Sequence, residues 1–141
     1  MKKKIVIIGG LGYIGTELCK IYSGESWHNS VVAIDSRFVS ERVNQLRHWK
    51  IDFRQGGLLD KDFLKKNLFD ADLVFHLAGI TDVAYVKKDS NKEQDEKIKS
   101  IAIDGTNNVL NSINNKCKLI FPSTHVIFRG LKKTKKNITE T

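Results

Sequence analysis

With 141 residues, the chain is long enough to form one hydrophobic core, and a composition of 40% hydrophobic and 28% charged residues argues against disorder. No apolar stretch reaches the length of a membrane span or ends in a small-residue cleavage site, so we expect a cytoplasmic protein without a membrane partner. The net charge of +8 would suit nucleic-acid binding, but the lysines are scattered and lack interleaved aromatic residues, so no nucleic-acid partner is expected.

The first element is a strand that runs into a glycine-rich turn. Four β-branched residues at 5–8 predict a buried strand, and the glycines at 9, 12 and 15 predict a tight turn into a helix. Gly9 permits the turn, Gly12 lets the backbone approach a pyrophosphate, and Gly15 lets the helix pack closely against the strand. The N–H groups at the start of the helix then face an anion. This pattern predicts a dinucleotide site; a plain strand-to-helix turn is the alternative.

The helix after the turn is predicted over about 13–22. Its residues that are expected to pack against the sheet are Leu11, Ile14, Leu18 and Tyr22. The two cysteines have neither disulfide-framework nor metal-ligand spacing, so no metal site is expected. Cys19 lies on the apolar side of this helix and is interpreted as a packed core thiol.

The second strand, predicted at 31–34, ends at Asp35, about 20 residues beyond the last glycine. At this spacing a carboxylate accepts hydrogen bonds from the adenosine ribose hydroxyls. Arg37 offers an alternative interpretation as a contact for the 2′-phosphate of NADP. The carboxylate at position 35 would repel that phosphate, so NAD is favoured over NADP.

The remaining elements alternate between helices and strands. The pattern predicts a short helix at 42–48, strands at 51–55, 73–76 and 118–121, a helix from the N-cap Asp60 to Leu68, and a long helix at 91–113. The long helix begins with a capping box of Ser90 and Glu93. Its predicted apolar stripe is Ile98, Ile101, Ala102, Gly105, Val109 and Ile113. We expect an α/β fold of Rossmann type, with five parallel strands in the order 3-2-1-4-5 and the ligand where strands 1 and 4 diverge.

The turn Gly9-Gly10-Leu11-Gly12-Tyr13-Ile14-Gly15 resembles that of the extended short-chain dehydrogenase/reductases, the NAD-dependent epimerase/dehydratase family that acts on nucleotide sugars. Segments at 56–60, 76–79, 103–110 and 123–130 extend the resemblance. It implies an NAD-dependent nucleotide-sugar epimerase or dehydratase, with a 4-keto-deoxysugar nucleotide reductase as the alternative. The cofactor contacts that it implies are Gly9, Gly12, Tyr13, Ile14, Gly15, Asp35, Gly57, Leu58, Leu77, Ala78 and Gly79.

The resemblance also assigns a catalytic residue and shows departures from the family pattern. Thr124, after the fifth strand and beside Ser123, matches the residue that polarises the reacting oxygen of the sugar. Gly57 stands where the family carries an Asp that contacts adenine, so the backbone of Gly57 and Leu58 would have to serve. Ala102 replaces a family Asn near the active site. His76 is interpreted as a satisfied, buried histidine.

The family's chemistry requires a Tyr followed four residues later by a Lys, which lowers the tyrosine pKa. Tyr13, Tyr22 and Tyr85 are followed at that spacing by other residues, and the family position would fall beyond Thr141. Residues 1–141 are therefore expected to be an NAD(P)-binding Rossmann domain, truncated before this pair and the substrate lobe, that binds NAD without turnover. A non-catalytic dinucleotide-binding module is the alternative. The resemblance allows a homodimer through helices that include the one at 91–113, although the sheet already needs the apolar stripe of this helix.

Overall fold

The computed structural model describes residues 2–24, 29–80 and 92–123. Strands and helices alternate along the described chain. Their bounds are β1 Lys3–Ile8, α1 Tyr13–Ser23, β2 Asn29–Asp35, α2 Ser40–His48, β3 Asp52–Gln55, α3 Lys61–Leu68, β4 Leu73–His76, α4 Lys92–Ser112 and β5 Lys118–Ile120. None of the helices in the described residues is long and apolar enough to cross a membrane.

The five strands form one parallel sheet in the order β3-β2-β1-β4-β5. β1 is central, and its Ile5 lies beside Val31 of β2 on one side and Leu73 of β4 on the other. The predicted fold class and strand order are confirmed. Because the chain leaves β1 for β2 on one side and later returns to β4 on the other, the carboxyl ends of β1 and β4 open a crevice between the two crossovers.

The sheet is covered on both faces, which explains why β1 and β2 are continuously apolar rather than alternating. On one face, α1 and α2 contribute Cys19 and Leu46 to a core with Ile7 and Phe75. On the other face, α3 and α4 contribute Leu64 and Val109 to a second core. Cys19 is fully buried, and its burial raises the pKa of its thiol to about 12, as expected for a packed core residue.

Two packing predictions for the helices are wrong. Ile14 is 59% exposed, because it lies in the first turn of α1, which begins beyond the end of β1. Ala102 is exposed, because the buried face of α4 follows Gly105, Val109 and Ser112 and leaves position 102 at its edge. The predicted capping residue Ser90 lies outside the described residues.

The N-cap prediction for α3 is confirmed. The Oδ1 atom of Asp60 accepts a hydrogen bond from the backbone N–H of Phe63 at 3.0 Å. Leu64 and Leu68 of this helix are fully buried against the sheet. The helix therefore begins where the chain leaves the carboxyl edge of β3, and this placement brings residues 56–60 to the crevice.

Candidate functional site

The turn after β1 has a backbone that requires glycine at its first position. Gly9 has a φ angle of +85°, and a Cβ atom there would lie 2.9 Å from the backbone nitrogen of Ala78. The N–H groups of Gly9 and Gly10 both donate to the carbonyl of Ile34, at 2.7 and 2.9 Å. These bonds connect the turn to β2, and the close approach of Ala78 connects it to the end of β4. The turn is thus held at the point where the three central strands end.

Gly15 sets how closely α1 approaches this turn. A Cβ atom at position 15 would lie 2.9 Å from the Cα atom of Gly10 and closer still to the carbonyl oxygen of Gly9. Only hydrogen fits between the helix and the turn at this point. The close helix packing that the sequence predicted for Gly15 is present. The N-terminus of α1, whose N-cap is Gly12, opens beside the crevice.

The carboxylate of Asp35 is buried at the end of β2, where it binds the turn rather than lying free. Its Oδ2 atom accepts a hydrogen bond from the N–H of Leu11 at 3.1 Å. Its Oδ1 atom accepts from the backbone N–H and the Nε–H of Arg37, at 3.0 and 3.2 Å. From α2, Arg42 donates to the carbonyl of Leu11. The backbone N–H and the backbone carbonyl of Leu11 are therefore held by the carboxylate of Asp35 and the guanidinium of Arg42, which lie on different elements.

A cleft of about 630 Å³ lies over the carboxyl ends of the central strands. Its lining residues are Ile8, Gly9, Gly12, Asp35, Ser36, Arg37, Gly56, Gly57, Leu58, Leu59, Asp60, Leu77, Ala78, Gly79, Ile80 and Ile101. The structure thus brings eight of the predicted cofactor residues together around one hollow: Gly9, Gly12, Asp35, Gly57, Leu58, Leu77, Ala78 and Gly79. Most of the lining comes from main chain and apolar side chains, which is typical of a small-molecule site.

Three predicted cofactor residues do not line the cleft. Gly15 acts behind it, through the packing of α1 on the turn. Tyr13 and Ile14 lie in the first turn of α1, with 84% and 59% of their side chains exposed. Their roles as cofactor contacts stay predictions.

The segment at 57–58 is shaped by α4. Asn108 donates from Nδ2 to the carbonyl of Leu58 at 3.0 Å, and a Cβ atom at Gly105 would lie 2.8 Å from the Cβ atom of Leu58. Among the described residues, a Cβ atom at Gly57 would meet nothing within 4 Å. The cleft is therefore open at position 57, where the backbone is offered without a side chain.

Several residues of the site were not predicted from the sequence. Asp60, interpreted only as a helix cap, also lines the cleft, and Ile101 reaches it from α4. Arg42 holds the glycine turn from a helix 31 residues along the chain. No pattern in the sequence predicts this contact of Arg42, because it depends on how α2 packs beside the turn.

Comparison with known proteins identifies the family of the chain. Residues 6–140 match the 3-beta hydroxysteroid dehydrogenase/isomerase family. The chain belongs to this family. The family is of the NAD-dependent epimerase/dehydratase type, so the predicted resemblance is confirmed.

Curated relatives and solved structures of this family type cover most of the chain. The dTDP-D-glucose 4,6-dehydratase of Dictyostelium discoideum is 31% identical over 136 residues, covering 89% of this chain and 30% of the relative. The UDP-N-acetyl-alpha-D-glucosaminuronate decarboxylase of Bacillus cytotoxicus is 28% identical, with 91% and 38% covered. The chain spans about a third of the length of the curated relatives that it matches.

Among solved structures, UDP-glucuronic acid 4-epimerase from Bacillus cereus, in complex with UDP-glucuronic acid and NAD, shares the fold. Its TM-score is 0.70 at 24% identity, with 97% of this chain and 44% of that chain covered. This likeness supports the Rossmann-type sheet described above.

In this member of the 3-beta hydroxysteroid dehydrogenase/isomerase family, His76 is buried at the end of β4. Its Nε2 atom lies 3.1 Å from the hydroxyl of Thr106 on α4, while Nδ1 has no hydrogen-bond partner among the described residues. The prediction of a fully satisfied histidine is therefore wrong for one of its two nitrogens. Burial lowers the pKa of His76 below its ordinary value of 6.5.

We expect His76 to make the stability of the fold depend on pH. Because the folded-state pKa is lowered, the unfolded chain binds the proton more tightly. Neutral His76 therefore makes its full contribution to the free energy of unfolding above pH 6.5, and this contribution is lost as the pH falls below that value. The urea midpoint of unfolding should therefore fall more in the wild type than in His76→Gln between about pH 7.5 and about pH 5.5.

His48 provides the matched control for this experiment, because it is exposed in the last turn of α2. His48→Gln should keep the pH dependence of the wild type. If His76→Gln and the wild type lose stability equally on acidification, His76 is not the group responsible.

The predicted catalytic residue Thr124 lies outside the described residues. Ser123 is described and exposed, three residues beyond the end of β5. The described residues contain no cluster of His, Cys, Asp and Glu side chains that could hold a metal ion.

Proposed function

We propose that residues 1–141 bind NAD and form the cofactor-binding portion of an NAD-dependent nucleotide-sugar epimerase or dehydratase. The single observation that carries this proposal is the glycine turn of β1 opening into the cleft beside the buried carboxylate of Asp35. The names of the curated relatives, which include a dTDP-glucose dehydratase and a UDP-glucose epimerase, support the nucleotide-sugar assignment.

The lining of the cleft suggests how the cofactor would lie. The pyrophosphate would approach Gly9 and Gly12, where no side chain holds it away and the N-terminus of α1 favours negative charge. The adenosine ribose would lie at Asp35, and adenine would lie over the backbone of Gly57 and Leu58. The nicotinamide end would then extend along 77–79, where Ala78 and Gly79 leave room for a ring.

Bound NAD would accept hydride from a carbon of the sugar. In the proposed reaction Thr124 would orient the sugar oxygen by hydrogen bonding, while the cleft residues hold the dinucleotide in position. The 141-residue sequence has no Tyr with a Lys four residues later. We therefore assign binding and orientation to these residues, and propose that they do not turn over alone.

We also propose that NAD is preferred to NADP, because the carboxylate of Asp35 lies where the 2′ substituent would be. A cytoplasmic location and a homodimer stay predictions.

Titration of the isotope-labelled chain with NAD, followed by amide NMR spectra, tests the binding proposal. Saturable shifts of amide resonances are expected, with a Kd in the micromolar to millimolar range. This range corresponds to a binding free energy of roughly −8 to −4 kcal/mol. They should concentrate at 9–12, 35–37, 56–60 and 77–80, and spare β5 at the sheet edge. An unchanged spectrum at millimolar NAD would refute binding, and saturable shifts elsewhere would refute the site.

A further inference from the structure

The helix α4 reaches both ends of the cleft within about two turns. Ile101 lines the cleft directly. At the end assigned to adenine, Asn108 donates to the carbonyl of Leu58 at 3.0 Å. Between these two positions of the helix, the hydroxyl of Thr106 lies 3.1 Å from Nε2 of His76, the last residue of β4. The segments assigned to the two ends of the dinucleotide are therefore attached to one helix.

The end of β4 passes directly into the segment assigned to the nicotinamide. His76 lies beside Ile8 in the sheet, and the N–H of Leu77 donates to the carbonyl of Ile8 at 2.9 Å. Ala78 comes next, and its backbone nitrogen would lie 2.9 Å from a Cβ atom on Gly9. A contact that holds the side chain of His76 therefore also sets where Leu77 and Ala78 lie against the glycine turn.

Apolar packing between β4 and α4 does not by itself fix the position of the helix along the strand. Val74 of β4 and Val109 of α4 are fully buried in the same core. The burial of apolar surface is not directional, so several positions of the helix would satisfy it. A hydrogen bond has a preferred length and angle. The bond between His76 and Thr106 therefore selects one position of α4 along β4.

The surroundings of the His76 ring indicate that the ring serves this bond. The residue is 1% exposed, the ring of Phe121 lies 5.1 Å away between centroids, and Nδ1 has no hydrogen-bond partner among the described residues. A buried N–H without an acceptor is rarer than a bare acceptor, so the proton belongs on Nε2, which donates to the hydroxyl of Thr106. A hydrocarbon side chain would fill the same place without an unsatisfied nitrogen. The bond to Thr106 explains why an imidazole lies there.

We propose that His76 and Thr106 are positioning residues, whose hydrogen bond holds α4 against the end of β4 and so fixes 77–79 as the surface for the nicotinamide half of the dinucleotide. Neither side chain lines the cleft, so both act through the backbone that follows β4. This inference rests on the proposed dinucleotide function. It assigns the bond a role in one half of the ligand only, since the glycine turn and Asp35 hold the other half.

NMR titrations of NAD and of ADP into the wild type and Thr106→Val test this assignment. ADP carries the adenosine and diphosphate groups of NAD without its nicotinamide half. Valine has nearly the shape of threonine but no hydroxyl. In Thr106→Val, NAD should bind about threefold to tenfold more weakly, the loss expected for one hydrogen bond. The Kd of ADP should change less than about twofold.

Three further variants separate positioning from a general effect on the fold. Thr106→Ser keeps the hydroxyl and should restore the NAD affinity of the wild type. His76→Leu should weaken NAD as Thr106→Val does, without lowering the urea midpoint, because it removes the unsatisfied nitrogen. The double variant should bind NAD no more weakly than either single variant, because both changes remove the same bond.

Ser100→Ala is the matched control, because it removes a hydroxyl of α4 that bonds within the helix, to Asp104 at 2.9 Å. It should leave both Kd values unchanged. Equal weakening of NAD and ADP by Thr106→Val, or an unchanged Kd of NAD, would overturn the proposal. In both cases NAD would still bind the wild type, and the proposed function would stand. If NAD does not bind the wild type, both proposals fail.

Discussion

Gly15→Ala is expected to abolish detectable NAD binding. It should also lower the free energy of unfolding by at least the usual cost of overpacking, which is about 1–3 kcal/mol. The three atoms nearest to the added methyl group would all be backbone atoms, with the Cα atom of Gly10 at 2.9 Å and the carbonyl oxygen of Gly9 closer. Backbone atoms cannot rotate away as a side chain can. Either α1 moves outward or the turn opens.

Both movements would disturb the site. α1 is anchored in the core by Cys19, which is fully buried, so an outward shift would loosen that face of the sheet. An opened turn would move Gly9 and Gly12 away from the cleft that they line. Urea denaturation and titration with NAD measure the two effects separately.

Gly24→Ala is the matched control for Gly15→Ala. Gly24 follows α1 with a φ of −67°, and among the described residues a Cβ atom there would meet only the carbonyl of Ile21, at 3.6 Å. Alanine at this position should be neutral or stabilise by up to about 1 kcal/mol, because it restricts the unfolded chain. If Gly15→Ala behaved like Gly24→Ala, the close contact between helix and turn would not matter for the site.

Asp35→Ala is expected to weaken NAD binding by about tenfold to hundredfold and to destabilise the fold by about 1–3 kcal/mol. The first effect follows from the loss of the acceptor for the ribose. The second follows because the N–H of Leu11 would remain in a buried environment without its partner. Calorimetry with NAD and urea denaturation measure them.

Asp35→Asn separates the two effects, because an amide oxygen can still accept from Leu11 while the charge is lost. It should retain more stability than Asp35→Ala. Asp52→Ala is the control, since that carboxylate lies on the adjacent strand β3 and is 54% exposed. Equal heats of NAD binding in the wild type and Asp35→Ala would refute the ribose assignment.

The local parts of this structure were predictable because their causes are local. Asp60 caps α3 through a bond to a residue three positions away, and the positive φ of Gly9 follows from a tight strand-to-helix turn. Asp35 was placed at the cleft because a parallel crossover of this length returns the chain beside β1. The strand order followed from the same connection rules.

What sequence reasoning missed depends on contacts between distant segments. Arg42 reaches Leu11 only because α2 packs next to the turn, and Leu58 is positioned by Gly105 and Asn108 of α4. The Nδ1 atom of His76, which has no hydrogen-bond partner in the described part of the chain, and the exposed side chain of Ile14 likewise depend on which elements cover them. Residue patterns determine where strands, helices and turns begin, because backbone preference acts over a few residues. The hydrogen-bond partners of the Asp35 carboxylate and the shape of the cleft were decided by tertiary packing, because side-chain partners are set only when the sheet and its helices assemble.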